Sequence, residues 1–208
     1  MSNLLIIASL NIECERINGH YPNVYVSRVM QIATTFSRCG EDECYLKHVI
    51  TLEPYIPTND VVVEQYDNEI DALLAWTKLI QRINPNFIIG YNIFGFDLPY
   101  LYNRCSVLGC WDEFRKLGIN DNDSMIVTKK KYSNALGYSE KWCFNINGRE
   151  LFDLYDYIQQ KYKLSSYMLN NVIKHFIIKD NVLPNLDFVE CAEYCNKLMN
   201  ALNIFVDV

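Results

Sequence analysis

Apolar and polar residues change their spacing several times along this chain, and the changes divide it into strands and helices. Leu4 to Ile12 is nearly continuous and β-prone, which predicts a buried strand. Val29–Phe36, Glu43–Ile50 and the short Val61–Tyr66 predict three more. Turn signals separate them at Asn18-Gly19, Cys39-Gly40, and Pro54 with Pro57. The spacing then becomes helical. Ile70, Leu73, Leu74, Thr77, Ile80 and Ile83 share one face, Asp67 is placed as the N-cap, and Pro85 ends the run. Phe87–Gly90 reads as a short buried strand. A second helix is expected from about Asp97, with Pro99 in its first turn, to Gly109. Residues 120–148 are polar and turn-rich, and the strand-like pieces Met125–Thr128 and Trp142–Ile146 are expected to pair as a projecting hairpin. Glu150–Leu154 is a further strand. Helices follow at about 155–163, 165–178 and 187–203, with Ser165 or Ser166 capping the middle one. Strands that pair first, then strands alternating with helices, then closing helices predict an α/β fold with a mixed central sheet flanked by helices.

Composition narrows the picture. With 208 residues, half of them hydrophobic, one domain with a substantial core is expected over 1–208. No signal peptide or membrane span is expected. The net charge of -6 argues against holding duplex DNA mainly by a basic surface. It leaves room for a nucleic-acid enzyme whose acidic groups hold cations that meet the phosphate. The dense basic run, Lys129-Lys130-Lys131, reads as a solvated loop or a phosphate contact. Eight cysteines without a Cys-x-x-Cys read as free thiols in a reducing intracellular compartment; Cys191 and Cys195, four apart, make only half a metal site.

Two clusters carry candidate chemistry. Asn11 and Glu13 end the first strand and, having the same parity, project from one face of the sheet as a plausible metal seat. A second segment, Phe87 to Asp97, runs from buried strand to helix N-terminus. Asp97 there reads as a ligand or as a cap and dipole partner. Asn92, Phe94 and Phe96 on the same loop are candidates for a hydrogen bond and stacking faces to DNA bases.

These segments resemble a known family. Ala8-Ser-Leu-Asn-Ile-Glu-Cys14, with Gly19, Pro22 and Val29-Met-Gln-Ile-Ala33, is similar to the first exonuclease motif of family-B DNA polymerases. Ile89-Gly-Tyr-Asn-Ile-Phe-Gly-Phe-Asp-Leu-Pro-Tyr-Leu101 resembles the second motif almost residue for residue. Gly148-Arg149, Phe152-Asp-Leu154 and Lys163 to Asn170 resemble the stretch before the third. The wording is closest to polymerases of large DNA viruses. The resemblance implies a ribonuclease-H-like (DnaQ-like) 3′–5′ exonuclease fold. It also implies a two-ion site for Mg²⁺ or Mn²⁺ and, as substrate, single-stranded DNA or a frayed 3′ end. Glu13 and Asp97 match two metal ligands, and Asn92 and Phe96 match positions that hold the strand. A polymerase's palm, fingers and thumb are absent from this stretch.

Two departures imply weak or absent hydrolysis. Asn11 stands where the family has aspartate, removing one negative charge from the metal seat. The third motif, Tyr-x-x-x-Asp, has no match. Tyr194 leads to Leu198, and a shifted registration puts Glu190 or Cys191 at the acidic position, with Asp187 and Glu190 as stand-ins. His175 with Asp180 has the His-x-x-x-x-Asp spacing of another exonuclease subclass but reads as a helix-end histidine. Asp153 reads as structural, and Asp121 and Asp123 as loop residues. Three functions follow: a metal-dependent exonuclease, a degenerate module that holds single-stranded DNA, and a remnant or split-polymerase fragment that docks on a DNA polymerase.

Overall fold

The computed structural model describes residues 5–56, 60–120, 123–134, 137–178 and 186–202, with the side chains of 132–140 and 188 left aside. The expectations for Leu4, Pro57, Asp121, Asp180 and residue 203 lie outside the described residues.

Six strands form one mixed sheet in the order β4-β3-β2-β1-β5-β8. They are β1 (Ile6–Cys14), β2 (Val29–Arg38), β3 (Leu46–Thr51), β4 (Val61–Gln65), β5 (Phe87–Gly90) and β8 (Glu150–Asp153). β1 pairs antiparallel with β2 and parallel with β5, so it runs through the middle of the sheet. The alternation of side chains along β1 sends each parity to a different core. Ala8, Leu10, Ile12 and Cys14 pack with α1 (Glu69–Ile83) and α2 (Asp97–Leu108), where Leu73, Trp76, Ile80 and Leu101 are buried. Ile7 faces the other way, into a core with Leu154 and Ile158 of α4 (Leu154–Lys161), Val172 and Ile173 of α5 (Leu169–Phe176), and Cys195, Leu198 and Met199 of α6 (Phe188–Ala201). This α/β sandwich has the architecture expected from the order of elements.

Three local readings are corrected. The N-cap of α1 is Asn68, not Asp67: its Oδ1 accepts from the Asp71 N–H at 2.9 Å. Neither Ser165 nor Ser166 caps α5, which starts after Met168. The Ser166 hydroxyl instead accepts from Met168 N and Asn171 Nδ2. A one-turn helix, α3 (Trp111–Phe114), was not foreseen; its Phe114 fills the core beside Trp76.

The remaining strands, β6 (Met125–Asn134) and β7 (Gly137–Ile146), pair as an antiparallel hairpin outside the main sheet. Its base is tied into the core by Met125 and Ile146. Lys129, Lys130 and Lys131 lie on β6 rather than in a loop, all exposed, and the Lys129 ammonium sits 4.0 Å over the Trp142 ring.

Candidate active site

The site forms where the end of β1, the loop that follows it and the N-terminus of α2 meet, with the first turns of α6 packed alongside. On β1, Asn11 and Glu13 fall on the face that Ile7 and Ser9 share below them. Ala33, the β2 partner of Asn11, packs on that face against Val189 and Ala192 of α6. Asn11 is half-buried and Glu13 exposed.

Asp97 reaches the same place from α2. It is 4% exposed, and its Oδ1 accepts from the Ile12 N–H at 3.0 Å, tying the helix start to β1. Burial, with the charges of Asp153 and Glu13 adding to it, pushes the Asp97 carboxyl up to about 7 against the pull of two backbone N–H bonds. Glu13 is exposed as a residue, but partial desolvation of its carboxyl raises it as well, with the Arg16 charge opposing. Two raised carboxyls around one cavity, one of them raised in part by the other, favour a positive charge between them.

The loop from β5 into α2 is set by Asp153. Its carboxylate accepts from Asn92 N at 2.8 Å, Phe94 N at 2.9 Å and Tyr155 N at 3.0 Å, so one side chain pins the loop and caps α4. That agrees with the structural role expected for it. Asn92 takes a left-handed φ of 65°, and its amide lies over Gly95, where a Cβ would meet Oδ1 at 2.2 Å. Gly95 is therefore needed for the turn that presents Phe96 and Asp97.

The loop from β1 to β2 supplies the remaining wall. Tyr21 stands edge-on to Phe96 with ring centroids 5.7 Å apart. The loop is held from beneath by the buried pair of Glu69 and Arg104, which are 2.7 Å apart. Glu69 also accepts from Val29 N, and Arg104 donates to Val24 O. Together Asn11, Glu13, Arg16, Tyr21, Tyr91, Asn92, Phe96 and Asp97 surround a cavity of about 260 Å³.

The sequence therefore brought five candidates to one cavity: Asn11, Glu13, Asn92, Phe96 and Asp97. Phe94 is not among its walls; its ring is stacked on Phe144 of β7, 6.3 Å away. Asp187 and Glu190 are occupied with each other. The Asp187 carboxylate accepts from Glu190 N at 2.8 Å, and Glu190 accepts from Asp187 N at 2.9 Å, a reciprocal capping box at the start of α6. Exposed His175 lines a separate cavity with Lys163 and Ser166. Asp123 accepts from Asn120 and Asn147 in a surface loop. Arg16, Tyr21 and Tyr91 were not singled out from sequence, and only the contiguity of the first and second motifs pointed to them.

Over residues 3–172 the chain matches the family model for the exonuclease domain of DNA polymerase family B. The chain belongs to that family. Among the curated relatives of this exonuclease domain, the DNA polymerase delta catalytic subunit of Arabidopsis thaliana is 40% identical over 172 residues, 82% of this chain and 16% of the relative. The corresponding subunit of Candida albicans is 34% identical over 174 residues, 83% of this chain and 17% of the relative. A DNA polymerase of Pyramimonas orientalis virus is 37% identical over 166 residues, 77% of this chain and 13% of the relative. The chain thus spans between about an eighth and a sixth of the length of these relatives.

In this exonuclease domain α6, packed beside the cavity, differs in chemistry from the elements that line it. The stripe that faces β1 descends through Cys191, Cys195 and Leu198, at helical spacing. Leu198 and Cys195 are buried with Ile7, and Cys191, one turn above, feels the Glu13 carboxylate. Burial, with that carboxylate adding, pushes the Cys191 thiol up to about 11. The residue that α6 turns toward Glu13 is therefore a neutral thiol, while Leu198, the partner of Tyr194 in the sequence match, lies in the core. Among the described residues no three Asp, Glu, His or Cys side chains gather as a ready metal cage. Glu13 and Asp97, with the Asn11 amide beside them, fit one divalent ion. Among the described residues no helix is long and apolar enough to cross a membrane.

Proposed function

We propose that this chain receives the 3′ end of single-stranded or frayed DNA in the cavity at Glu13 and Asp97, and that its phosphodiester hydrolysis is impaired. The observation that carries this reading is the meeting of Glu13, Asp97, Asn92 and Phe96 around one cavity, with Asn11 and Cys191 contributing no charge. Phe96, backed by Tyr100 at 5.5 Å, and exposed Tyr21 offer ring faces and edges to the terminal bases. Asn92 offers its amide to a base or sugar, and Arg16 a positive charge to a phosphate at the rim. Glu13 and Asp97 hold one Mg²⁺ or Mn²⁺. Bound there, a divalent cation supplies charge stabilisation at the phosphate. Asp97 stays fixed against Ile12 N, which holds its carboxyl beside the cavity.

Fluorescence anisotropy with a labelled single-stranded oligonucleotide tests the binding. Affinity is expected to fall with salt, and Phe96→Ala is expected to weaken it by about 1–3 kcal/mol. Affinity indifferent to both would reject the reading. Mononucleotide release from a 3′-labelled oligonucleotide with Mn²⁺ tests the impairment: release at rates ordinary for an enzyme, on the order of 1 s⁻¹ or faster, would refute it.

The relatives carry this domain as about a sixth of a longer chain, which favours a second reading, docking on DNA polymerase domains. Co-expressed polymerase fragments that fail to retain the chain would dismiss it.

A further inference from the structure

The C-terminus of α2 brings two cysteines together. Gly109 takes a left-handed φ of 74°; its N–H donates to Ser106 O, and the next N–H, of Cys110, donates back to Cys105 O at 2.9 Å. This is the double closure of a Schellman turn. It brings the side chains of the first and last residue of the six-residue ring into contact, a place commonly filled by two apolar groups. Here it is filled by Cys105, fully buried, and Cys110, 5% exposed, whose thiols are close enough to shift each other's ionisation. Both are free thiols.

We propose that Cys105 and Cys110 are a reversible oxidation site, closing an intramolecular disulfide across the end of α2 when the chain meets hydrogen peroxide. Cys110 is the first to react: it is the more exposed, and the neighbouring Cys105 thiol lowers that of Cys110 from the ordinary range while burial holds Cys105 up. The Cys110 sulfur attacks one peroxide oxygen, the O–O bond breaks, and the departing hydroxide takes the thiol proton, leaving a sulfenic acid and water. The Cys105 sulfur then attacks the Cys110 sulfur. The S–O bond breaks, and the hydroxide leaves as water with the Cys105 proton. Two thiols lose two electrons, and one peroxide becomes two waters. A dithiol reductant reverses the bond by exchange. Cys191 and Cys195 are the contrasting pair: the Cys195 thiol donates to Cys191 O at 3.2 Å, along its own helix. They stay reduced.

The test is differential alkylation of the folded chain after brief peroxide treatment. Remaining thiols are blocked in denaturant with one reagent, disulfides are then reduced, and the released thiols take a second reagent before peptide mapping. The expected result is the second label on Cys105 and Cys110 alone, and an unreduced peptide spanning both that is lighter by two hydrogen atoms. Circular dichroism before denaturation establishes that the oxidised chain is folded. In the Cys110→Ser variant Cys105 should take the first label. First label on both cysteines of the wild type, sulfinic acid at Cys110 with a free Cys105, or second label on Cys105 in the Cys110→Ser variant would each overturn the proposal.

Discussion

The two sides of the cavity carry very different chemistry on the same quality of scaffold. On one side, β1 and α2 present Glu13 and Asp97, and the surroundings are arranged to hold them. Ile12 N fixes Asp97, Asp153 pins the loop before it, and the Glu69–Arg104 pair secures the loop above. On the other side α6 is equally well placed, packed on Ala33, Val49 and Ile7, yet the residue it brings near Glu13 is a thiol, while Asp187 and Glu190 cap the helix and Glu193 pairs with Lys47 and Lys197. The comparison teaches that scaffold and charge are separable. Aspartate to asparagine at residue 11, or a small neutral residue at 191, leaves packing nearly untouched while lowering the negative charge that a cation needs.

The scaffold side should be the costlier to disturb. Arg104→Ala leaves the Glu69 carboxylate buried without its partner and frees the loop at Val24. A loss of about 3–5 kcal/mol in urea unfolding is expected. A loss under about 1 kcal/mol would mean that the loop does not depend on this pair.

Next in size is the strain of Asp97. Its folded value of about 7 lies above the usual carboxylate range, so the native state holds a proton that the unfolded chain releases. The contribution to stability is complete below about pH 4 and is lost as pH rises through about 7. Asp97→Asn removes the effect while keeping an oxygen for Ile12 N. Without divalent cations, wild type and variant should match near pH 4. The variant should gain up to about 4 kcal/mol by pH 8, with Mn²⁺ narrowing the gap. Parallel stability curves from pH 4 to 8 would show that Asp97 is not held this way.

Much of the scaffold side was legible in the sequence. Strand parity placed Asn11 with Glu13, and the strand-to-helix pattern from Phe87 to Asp97 placed Asp97 at a helix start, because both depend on local periodicity. The α6 side was not legible, because the direction in which a helix turns one residue toward a distant strand is decided by packing. Only the packing of Cys195 and Leu198 with Ile7, and of Val189 and Ala192 with Ala33, puts Cys191 near Glu13. Phe94 was misplaced for the same reason: its ring is drawn to Phe144, 50 positions along the chain. The cap at Asn68 was missed by one residue, since Asp67 and Asn68 carry equivalent signals and only the bond to Asp71 N separates them.

The account rests on a shortage of negative charge at Asn11 and Cys191, and a titration of the folded chain with Mn²⁺, read by calorimetry, measures that shortage directly. Wild type should bind one ion weakly. The Asn11→Asp, Cys191→Asp double variant should bind at least about tenfold more tightly, a gain of about 1.4 kcal/mol, and should take up a second ion. Two ions bound by wild type as tightly as by the folded double variant would contradict it.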